Sequence, residues 1–132
     1  MNIYSQTTNK MITKFKSYCL SYSTAISFFT ALLMYLKNNY SCFSNADFSK
    51  ELEKYKSLRI FIAGYNSTMC VLSTIIEGYH QGYDINFIHD ASGAKTDGKT
   101  PEQERHTIMT SVLSSFANVI SFKDLSEVTA QA

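Results

Sequence analysis

Short apolar runs alternate with amphipathic stretches along the chain from residue 32 onward. The run at 58–63 is rich in branched and aromatic residues, which is typical of a buried strand. The stretches between them repeat apolar residues at helical spacing, which indicates helices with one buried face. The pattern predicts strands at 32–36, 58–63, 85–88 and 119–120, and helices at 46–55, at 69–80, from 100 onward and at 122–128. This alternation predicts an α/β fold in three layers, a parallel sheet with helices packed on its faces.

Local signals mark the ends of these helices. Asn45 can cap the helix at 46–55 through its side chain. Gly82 follows the helix at 69–80 in the usual terminating position. Thr100 and Pro101 are typical of the cap and the first position of the next helix. We expect that helix to present one apolar face, formed by Ile108, Met109, Val112, Leu113 and Phe116.

The first third of the chain gives a weaker pattern. Residues 1–9 are polar, and a short helix is predicted at 10–16. Residues 17–36 carry no charge and follow three lysines, which is the layout of a membrane signal anchor. Six serines and threonines lower the hydrophobicity of this segment, and no small-residue cleavage site follows it. These features argue against a membrane-anchored protein and favour a buried helix at 23–34 that leads into a strand.

Composition and charge narrow the possible functions. The 132 residues make one domain by length, with 45% hydrophobic and 17% charged residues. The formal net charge of +1 argues against binding nucleic acid. All 11 acidic residues lie from Asp47 onward, so the two halves need separate interpretations. We set residues 1–31 apart as an unassigned leader or aberrant segment, ahead of a domain at 32–132.

The cysteines and histidines do not have the spacing of a metal site. The chain has three of each, and the cysteines form no Cys-x-x-Cys pair. We therefore expect neither a metal nor a cofactor. An odd number of cysteines is a poor disulfide framework, which favours a reducing compartment and a cytoplasmic location.

Reactive side chains collect where the predicted strands end. The carboxyl ends of parallel strands meet at one edge of the sheet, and ligands bind there. Lys37, the turn at 64–68 and Asp90 follow three such strands. Cys70 follows the turn at 64–68 and lies in the first turn of a helix, where backbone N–H groups and the helix dipole stabilise a thiolate. The same N–H groups can bind an oxyanion, although the alternative for Cys70 is a small buried apolar residue.

Two segments at these strand ends resemble motifs of a known family. Lys37 is followed by Ser41, Cys42 and Phe43, and the second segment reads Gly64-Tyr-Asn-Ser-Thr-Met-Cys70-Val71. Thr74, Gly82, Tyr83, Asp90-Ala91, His106 and the 116–119 segment follow in a matching order. In these features residues 32–128 resemble the isochorismatase-like cysteine hydrolases, a family that includes nicotinamidases. The resemblance implies a Rossmann-like α/β fold.

The resemblance also implies a site and a reaction. Cys70 would be the nucleophile and Lys37 the second catalytic residue. Backbone N–H groups near Ser67 and Cys70 would form the oxyanion hole, beside a non-proline cis peptide at Asn66-Ser67. The reaction would be hydrolysis of an amide-like C–N bond in a small-molecule substrate through a thioester. The family also implies a homo-oligomer.

One expected catalytic residue has no counterpart. The family carries an Asp at the end of its first strand, and this chain has no carboxylate before Asp47, which lies in the helix after the lysine motif. General acid–base assistance is worth about 10²–10⁴-fold in rate. The chain could be a truncated or degraded copy, incomplete at its N-terminus; a diverged member; or active only beside a partner chain. We favour the first, and the rival to a hydrolase is a non-catalytic remnant acting as a binding or oligomerisation module.

The other polar candidates have simpler interpretations. Asp90 is expected to cap a strand end or helix, since Asp is common at such turns. Cys42 is expected to pack in the core. His106 lies at a polar helix start and is expected to be solvated or hydrogen-bonded to a neighbour, and His80 and His89 are read as surface or satisfied groups.

Overall fold

A computed structural model describes residues 11–16, 32–37 and 39–125. Five strands form two sheets. Strand β1 (Met11–Lys16) pairs antiparallel with β2 (Leu32–Lys37). Strands β3 (Arg59–Ile62), β4 (Asp84–Ile88) and β5 (Asn118–Ile120) form a parallel sheet in that order. The expected α/β fold is confirmed.

Three α-helices connect the strands that follow β2. They are α1 (Ala46–Glu53), α2 (Cys70–His80) and α3 (Glu102–Leu113). Because parallel strands cannot be joined by a tight turn, α2 and α3 supply the two crossovers of the parallel sheet. Short 3₁₀ turns at Cys42–Ser44 and His89–Ala91 follow β2 and β4. The carboxyl ends of β2, β3 and β4 are thus followed by the segments that carry the candidate chemistry.

The predicted helix ends agree with the structure in two places. Asn45 caps α1, because its side-chain Oδ1 accepts the Phe48 N–H at 2.9 Å. Its side-chain amide also donates to the Leu36 carbonyl at 2.6 Å, which fixes the start of α1 against the end of β2. Gly82 has φ +81° after α2, a backbone conformation that favours glycine. Asn45 and Gly82 each lie next to the helix end that they mark, so both helix ends could be predicted from neighbouring residues.

The N-terminal prediction was wrong where it can be compared. Residues 11–16 form a strand, not a helix, because their backbone pairs with β2 in an antiparallel register that joins Ile12 to Leu36. The buried helix expected at 23–34 lies largely outside the described residues, and its last three positions belong to β2. Among the described residues, no helix is long and apolar enough to cross a membrane.

Helix α3 differs from its predicted start and face. It begins at Glu102 with Pro101 as its cap, because Thr100 belongs to the preceding turn, where its N–H donates to Asp97 Oδ1 at 2.8 Å. Ile108 is 54% and Val112 44% exposed. Leu113 is buried and Met109 and Phe116 pack against the core, as predicted, and His106 is buried as well. The closing helix predicted at 122–128 is helical at 122–125, and the rest lies outside the described residues.

The core lies between the parallel sheet and helices α1 and α2. Phe48 and Leu52 of α1 are buried, as their helical spacing predicted. Phe43, beside the candidate lysine, packs edge-on against Phe48 with ring centroids 5.5 Å apart. On α2, Gly78 allows close packing onto β4, because a Cβ there would lie 2.7 Å from Ile85 Cδ1. The segments at the carboxyl edge of the sheet are therefore anchored in the core.

Candidate functional site

Lys37 is the last residue of β2 and is only 3% exposed. Its ammonium group donates to the backbone carbonyl of Tyr40 in the following turn. That turn is braced locally, because Asn39 Oδ1 accepts the Ser41 N–H at 3.1 Å and Ser41 Oγ accepts the Phe43 N–H at 3.2 Å. The lysine is therefore folded back onto its own loop at the edge where β2 ends.

Thr74 joins this lysine loop to the helix that begins with Cys70. Its hydroxyl accepts the Cys42 N–H at 3.1 Å and donates to the Cys70 carbonyl at 2.8 Å. Thr74 is buried, so both bonds are shielded from water. The structure thus brings the two sequence motifs together through Thr74, which the sequence had marked only as a match to the family pattern. The signal was present, since a Thr inside a helix often bonds the carbonyl four residues earlier.

The turn between β3 and α2 contains a non-proline cis peptide, as the family resemblance implied, but its position was wrong. The cis bond is Tyr65–Asn66, not Asn66–Ser67. The Ser67 N–H donates to the Gly93 carbonyl at 2.7 Å, and Tyr65 forms a parallel bridge with Gly93. Because Ser67 is held in this pairing with the loop after β4, the chain changes direction one bond earlier than predicted.

Most amides of this turn already have acceptors. The carbonyl of Asn66 accepts the N–H groups of Met69 and Val71, and its side-chain Oδ1 accepts the Thr68 N–H at 3.0 Å. The Ser67 amide is bound to Gly93, which places Ser67 in the framework of the turn. The described part of the chain offers no acceptor for the Asn66 N–H. The expected oxyanion hole therefore does not include the Ser67 amide.

Cys70 is the first residue of α2, where the backbone N–H groups of the first turn have no partner within the helix. The residue is 4% exposed, which is more buried than an accessible nucleophile is expected to be. Cys70 nevertheless lies outside the contiguous cluster of buried apolar side chains, whereas Cys42 belongs to it. The packing role predicted for Cys42 is confirmed. Tyr65 and Met69, which flank the turn, are both exposed.

His106 lies on α3 and is buried, at 8% exposure. Its Nδ1 lies 2.9 Å from Ser67 Oγ, and its Nε2 lies 2.9 Å from the His89 carbonyl oxygen. The expectation of a hydrogen-bonded histidine is confirmed, and that of a solvated one is wrong. Sequence reasoning missed the connection to Ser67, because no local pattern indicates a contact between residues so far apart in the chain.

The loop before α3 is also tied to the turn. The Asp97 carboxylate accepts the N–H groups of Thr100 and Lys99 at 2.8 and 2.9 Å and forms an ion pair with Arg105 at 2.5 Å. These backbone donors, followed by the Arg105 charge, hold the pKa of Asp97 below its ordinary value. A second Arg105 nitrogen lies 3.5 Å from Thr68 Oγ1, so this loop reaches the segment just before Cys70.

The predicted minor roles of the acidic residues are consistent with the structure. Asp90 Oδ1 accepts the Phe122 N–H at 2.8 Å, which is a capping contact. Asp47 is exposed in the first turn of α1. Within residues 11–16, 32–37 and 39–125, no group of three potential ligands could hold a metal ion.

Comparison with known proteins adds an independent observation. The family model of the isochorismatase domain matches residues 30–124. No curated protein gives a significant match. Among solved structures, one assigned as an isochorismatase from Burkholderia xenovorans LB400 superposes with a TM-score of 0.63 at 26% sequence identity, covering 72% of this chain and 48% of that one.

Two amidases are also structurally similar. The pyrazinamidase/nicotinamidase of Streptococcus mutans UA159 has a TM-score of 0.51 at 28% identity, covering 64% of this chain and 44% of its own. The nicotinamidase/pyrazinamidase of Bacillus subtilis has a TM-score of 0.54 at 24% identity and the same coverages. This chain thus spans about half the length of the solved structures that it matches.

Proposed function

This chain belongs to the isochorismatase family, and on that premise we propose that it is a cysteine hydrolase with Cys70 as its nucleophile. The observation that carries the proposal is the Thr74 hydroxyl, which bonds the lysine loop at Cys42 and the helix of Cys70 at once. The lysine and cysteine motifs are therefore parts of one site. Lys37, which is buried at the end of β2, is the second catalytic residue.

The substrate is a small molecule with an amide-like C–N bond. The Cys70 thiolate attacks the carbonyl carbon, and the oxygen becomes an oxyanion that accepts hydrogen bonds from the amides of Asn66 and Cys70. The C–N bond then breaks, and the leaving amine takes up a proton from water. Water then attacks the thioester, the C–S bond breaks, and the acid and the Cys70 thiolate are released. The similarity to two nicotinamidase/pyrazinamidase structures supports an amide as the substrate class.

The proposal also includes the cofactor requirement, the cellular location and the assembly of the protein. The protein needs no cofactor and works in the reducing cytoplasm, as the pattern of cysteines and histidines predicted. It assembles as a homo-oligomer, as the family resemblance implied. Residues 1–31, of which Met11–Lys16 form β1, are given no catalytic role in this proposal. Without a carboxylate before Asp47 to act as general base and acid, turnover is slow.

A second candidate function is a non-catalytic binding or oligomerisation module. Two observations favour it: the lack of a carboxylate before Asp47 and the 4% exposure of Cys70. In that case the family fold is retained and the thiol serves packing. The two candidates make opposite predictions for the reactivity of Cys70.

Thiol labelling separates them. The protein is treated with iodoacetamide at pH 7, and each cysteine is followed by peptide mass spectrometry. For a hydrolase, Cys70 reacts much faster than Cys42 or Cys19, and the Lys37→Met variant slows Cys70 alone. Equal and slow labelling of all three cysteines would reject the nucleophile.

Ammonia release tests turnover directly. A panel of primary amides that includes nicotinamide is incubated with the protein and with two matched variants, Cys70→Ala and Cys42→Ala. A hydrolase loses activity in Cys70→Ala and keeps it in Cys42→Ala. If both variants release ammonia at the same rate as the unmodified protein, the activity does not come from this site.

A further inference from the structure

The His106 side chain connects three separate segments of the fold. It extends from α3, reaches Ser67 in the turn after β3, and reaches the His89 carbonyl after β4. Ser67 is fully buried, and the Phe87 ring of β4 lies edge-on to the imidazole at a centroid distance of 6.3 Å. Both ring nitrogens are therefore used in a water-excluded position, where a lost hydrogen bond is costly.

The partners of the ring fix the direction of each hydrogen bond. A carbonyl oxygen has no proton to give, so Nε2 of His106 carries the proton and donates it to His89. In the neutral ring Nδ1 is then an acceptor, and the Ser67 hydroxyl donates to it. Since the Ser67 N–H donates to Gly93, this serine is held through both its side chain and its backbone.

Ser67 lies between the two amides assigned to the oxyanion hole. We propose that His106 is a positioning residue that acts through Ser67 and holds the turn at 66–70 so that the Asn66 and Cys70 amides point at the developing oxyanion. This inference rests on the proposed function. A residue with this role affects reactions that form an oxyanion and leaves other reactions of the same sulfur unchanged.

p-Nitrophenyl acetate and iodoacetamide both react with a cysteine thiolate, but only the first reaction forms an oxyanion. In acyl transfer from p-nitrophenyl acetate, the S–C bond forms at a carbonyl carbon, the oxygen becomes an anion, and p-nitrophenolate leaves as the C–O bond breaks. In alkylation by iodoacetamide, the S–C bond forms at a saturated carbon and iodide leaves, with no oxyanion. The ratio of the two rates at Cys70 therefore reports the oxyanion hole, and a merely structural role of His106 does not change it.

Three variants and one control complete the design. His106→Phe removes both ring nitrogens, His106→Asn keeps an amide near the position of Nδ1, and Ser67→Ala removes the hydroxyl. His80→Asn replaces an exposed histidine on α2 and is the control. Circular dichroism checks that each variant folds, and Ser67→Ala and His106→Asn carry the test if His106→Phe does not.

We expect His106→Phe and Ser67→Ala to slow acylation of Cys70 by about tenfold or more, a fraction of the 10²–10³ that one oxyanion donor supplies. Alkylation stays within about twofold, and His106→Asn recovers most of the acylation rate. The double variant that combines His106→Phe with Ser67→Ala acylates no more slowly than Ser67→Ala alone, because both changes act on one hydrogen bond. Equal slowing of the two reactions, a His106→Asn variant as slow as His106→Phe, or additive losses would overturn the inference. If Cys70 of the unmodified protein is not acylated at all, the proposed function fails with it.

Discussion

Cys42 and Cys70 share one hydrogen-bonding partner, the buried hydroxyl of Thr74, which accepts from the amide of the first and donates to the carbonyl of the second. Cys42 belongs to the lysine loop and Cys70 opens α2. A single oxygen atom therefore hydrogen-bonds both motifs. A substitution of Thr74 perturbs this connection without changing Lys37 or Cys70.

Replacing Thr74 by Val keeps the shape of the side chain and removes both hydrogen bonds. The buried Cys42 N–H then loses its acceptor, so we expect a loss of about 1–3 kcal/mol in the free energy of unfolding. Urea denaturation measures this loss. Thr74→Ser keeps the hydroxyl and is the matched control, expected to retain most of the stability. Equal stability of the Val and Ser variants would show that the shared hydroxyl does not hold the motifs together.

Gly78 is expected to tolerate no side chain. An added Cβ would lie 2.7 Å from Ile85 Cδ1 and 3.3 Å from the Phe43 ring. Overpacking of this kind costs about 1–3 kcal/mol, which exceeds the gain of about 1 kcal/mol from the better helix propensity of Ala. We expect Gly78→Ala to lower the thermal midpoint.

Ile85→Val tests the cause of that effect, because it removes the Cδ1 atom that the new methyl group would meet. In the Gly78→Ala, Ile85→Val double variant, the loss of stability should be smaller than the sum of the two single losses. A strictly additive pair would mean that the clash with Ile85 is not what destabilises α2.

Asn45 couples the end of β2 to the start of α1. Asn45→Ala removes the cap of the Phe48 N–H and the donor to the Leu36 carbonyl, and we expect it to cost about 1–2 kcal/mol in the free energy of unfolding. Asn45→Asp keeps the capping acceptor and removes only the donor, so chemical denaturation should show an intermediate loss. If Asp is as destabilising as Ala, the cap contributes little.

Asp97 makes the loop before α3 sensitive to acid. Its pKa is lowered in the folded protein, first by the Thr100 and Lys99 amides and then by Arg105. A carboxyl group of this kind stabilises the fold above the pKa it has in the unfolded chain, and this contribution is lost as the pH falls through its folded value. The difference in stability between the unmodified protein and Asp97→Asn should therefore be largest near neutral pH and shrink below about pH 4. Denaturation curves at several pH values measure it, and a difference that stays constant down to pH 2 would contradict the assignment.

Much of the fold from residue 32 onward could be predicted from sequence, because the signals are local. The apolar runs at β3 and β4 and the cap at Asn45 depend on neighbouring residues. The strand at Met11–Lys16 was missed because it depends on pairing with a distant strand. The apolar face of α3 was predicted only in part, since spacing alone did not show that Ile108 and Val112 are exposed while His106 is buried.

The candidate site was also predictable only where its signals are local in the sequence. Lys37, Ser67 and Cys70 could be named from ordered motifs at strand ends. The contacts that connect these segments could not be predicted, because the hydrogen bonds of Thr74 and His106 join residues that are far apart in the sequence. The cis bond was placed one residue too late, since its position depends on the pairing of the turn with Gly93.

The exposure of Tyr65 and Met69 beside the buried Cys70 has an evolutionary consequence. Substitutions at exposed positions usually change stability by less than about 0.5 kcal/mol, whereas changes at buried hydrogen-bonded positions are far more damaging. Tyr65 and Met69 can therefore vary over evolutionary time while the buried residues of the same turn stay constant. A lineage with this fold can change the surface of the turn without having to refold its interior.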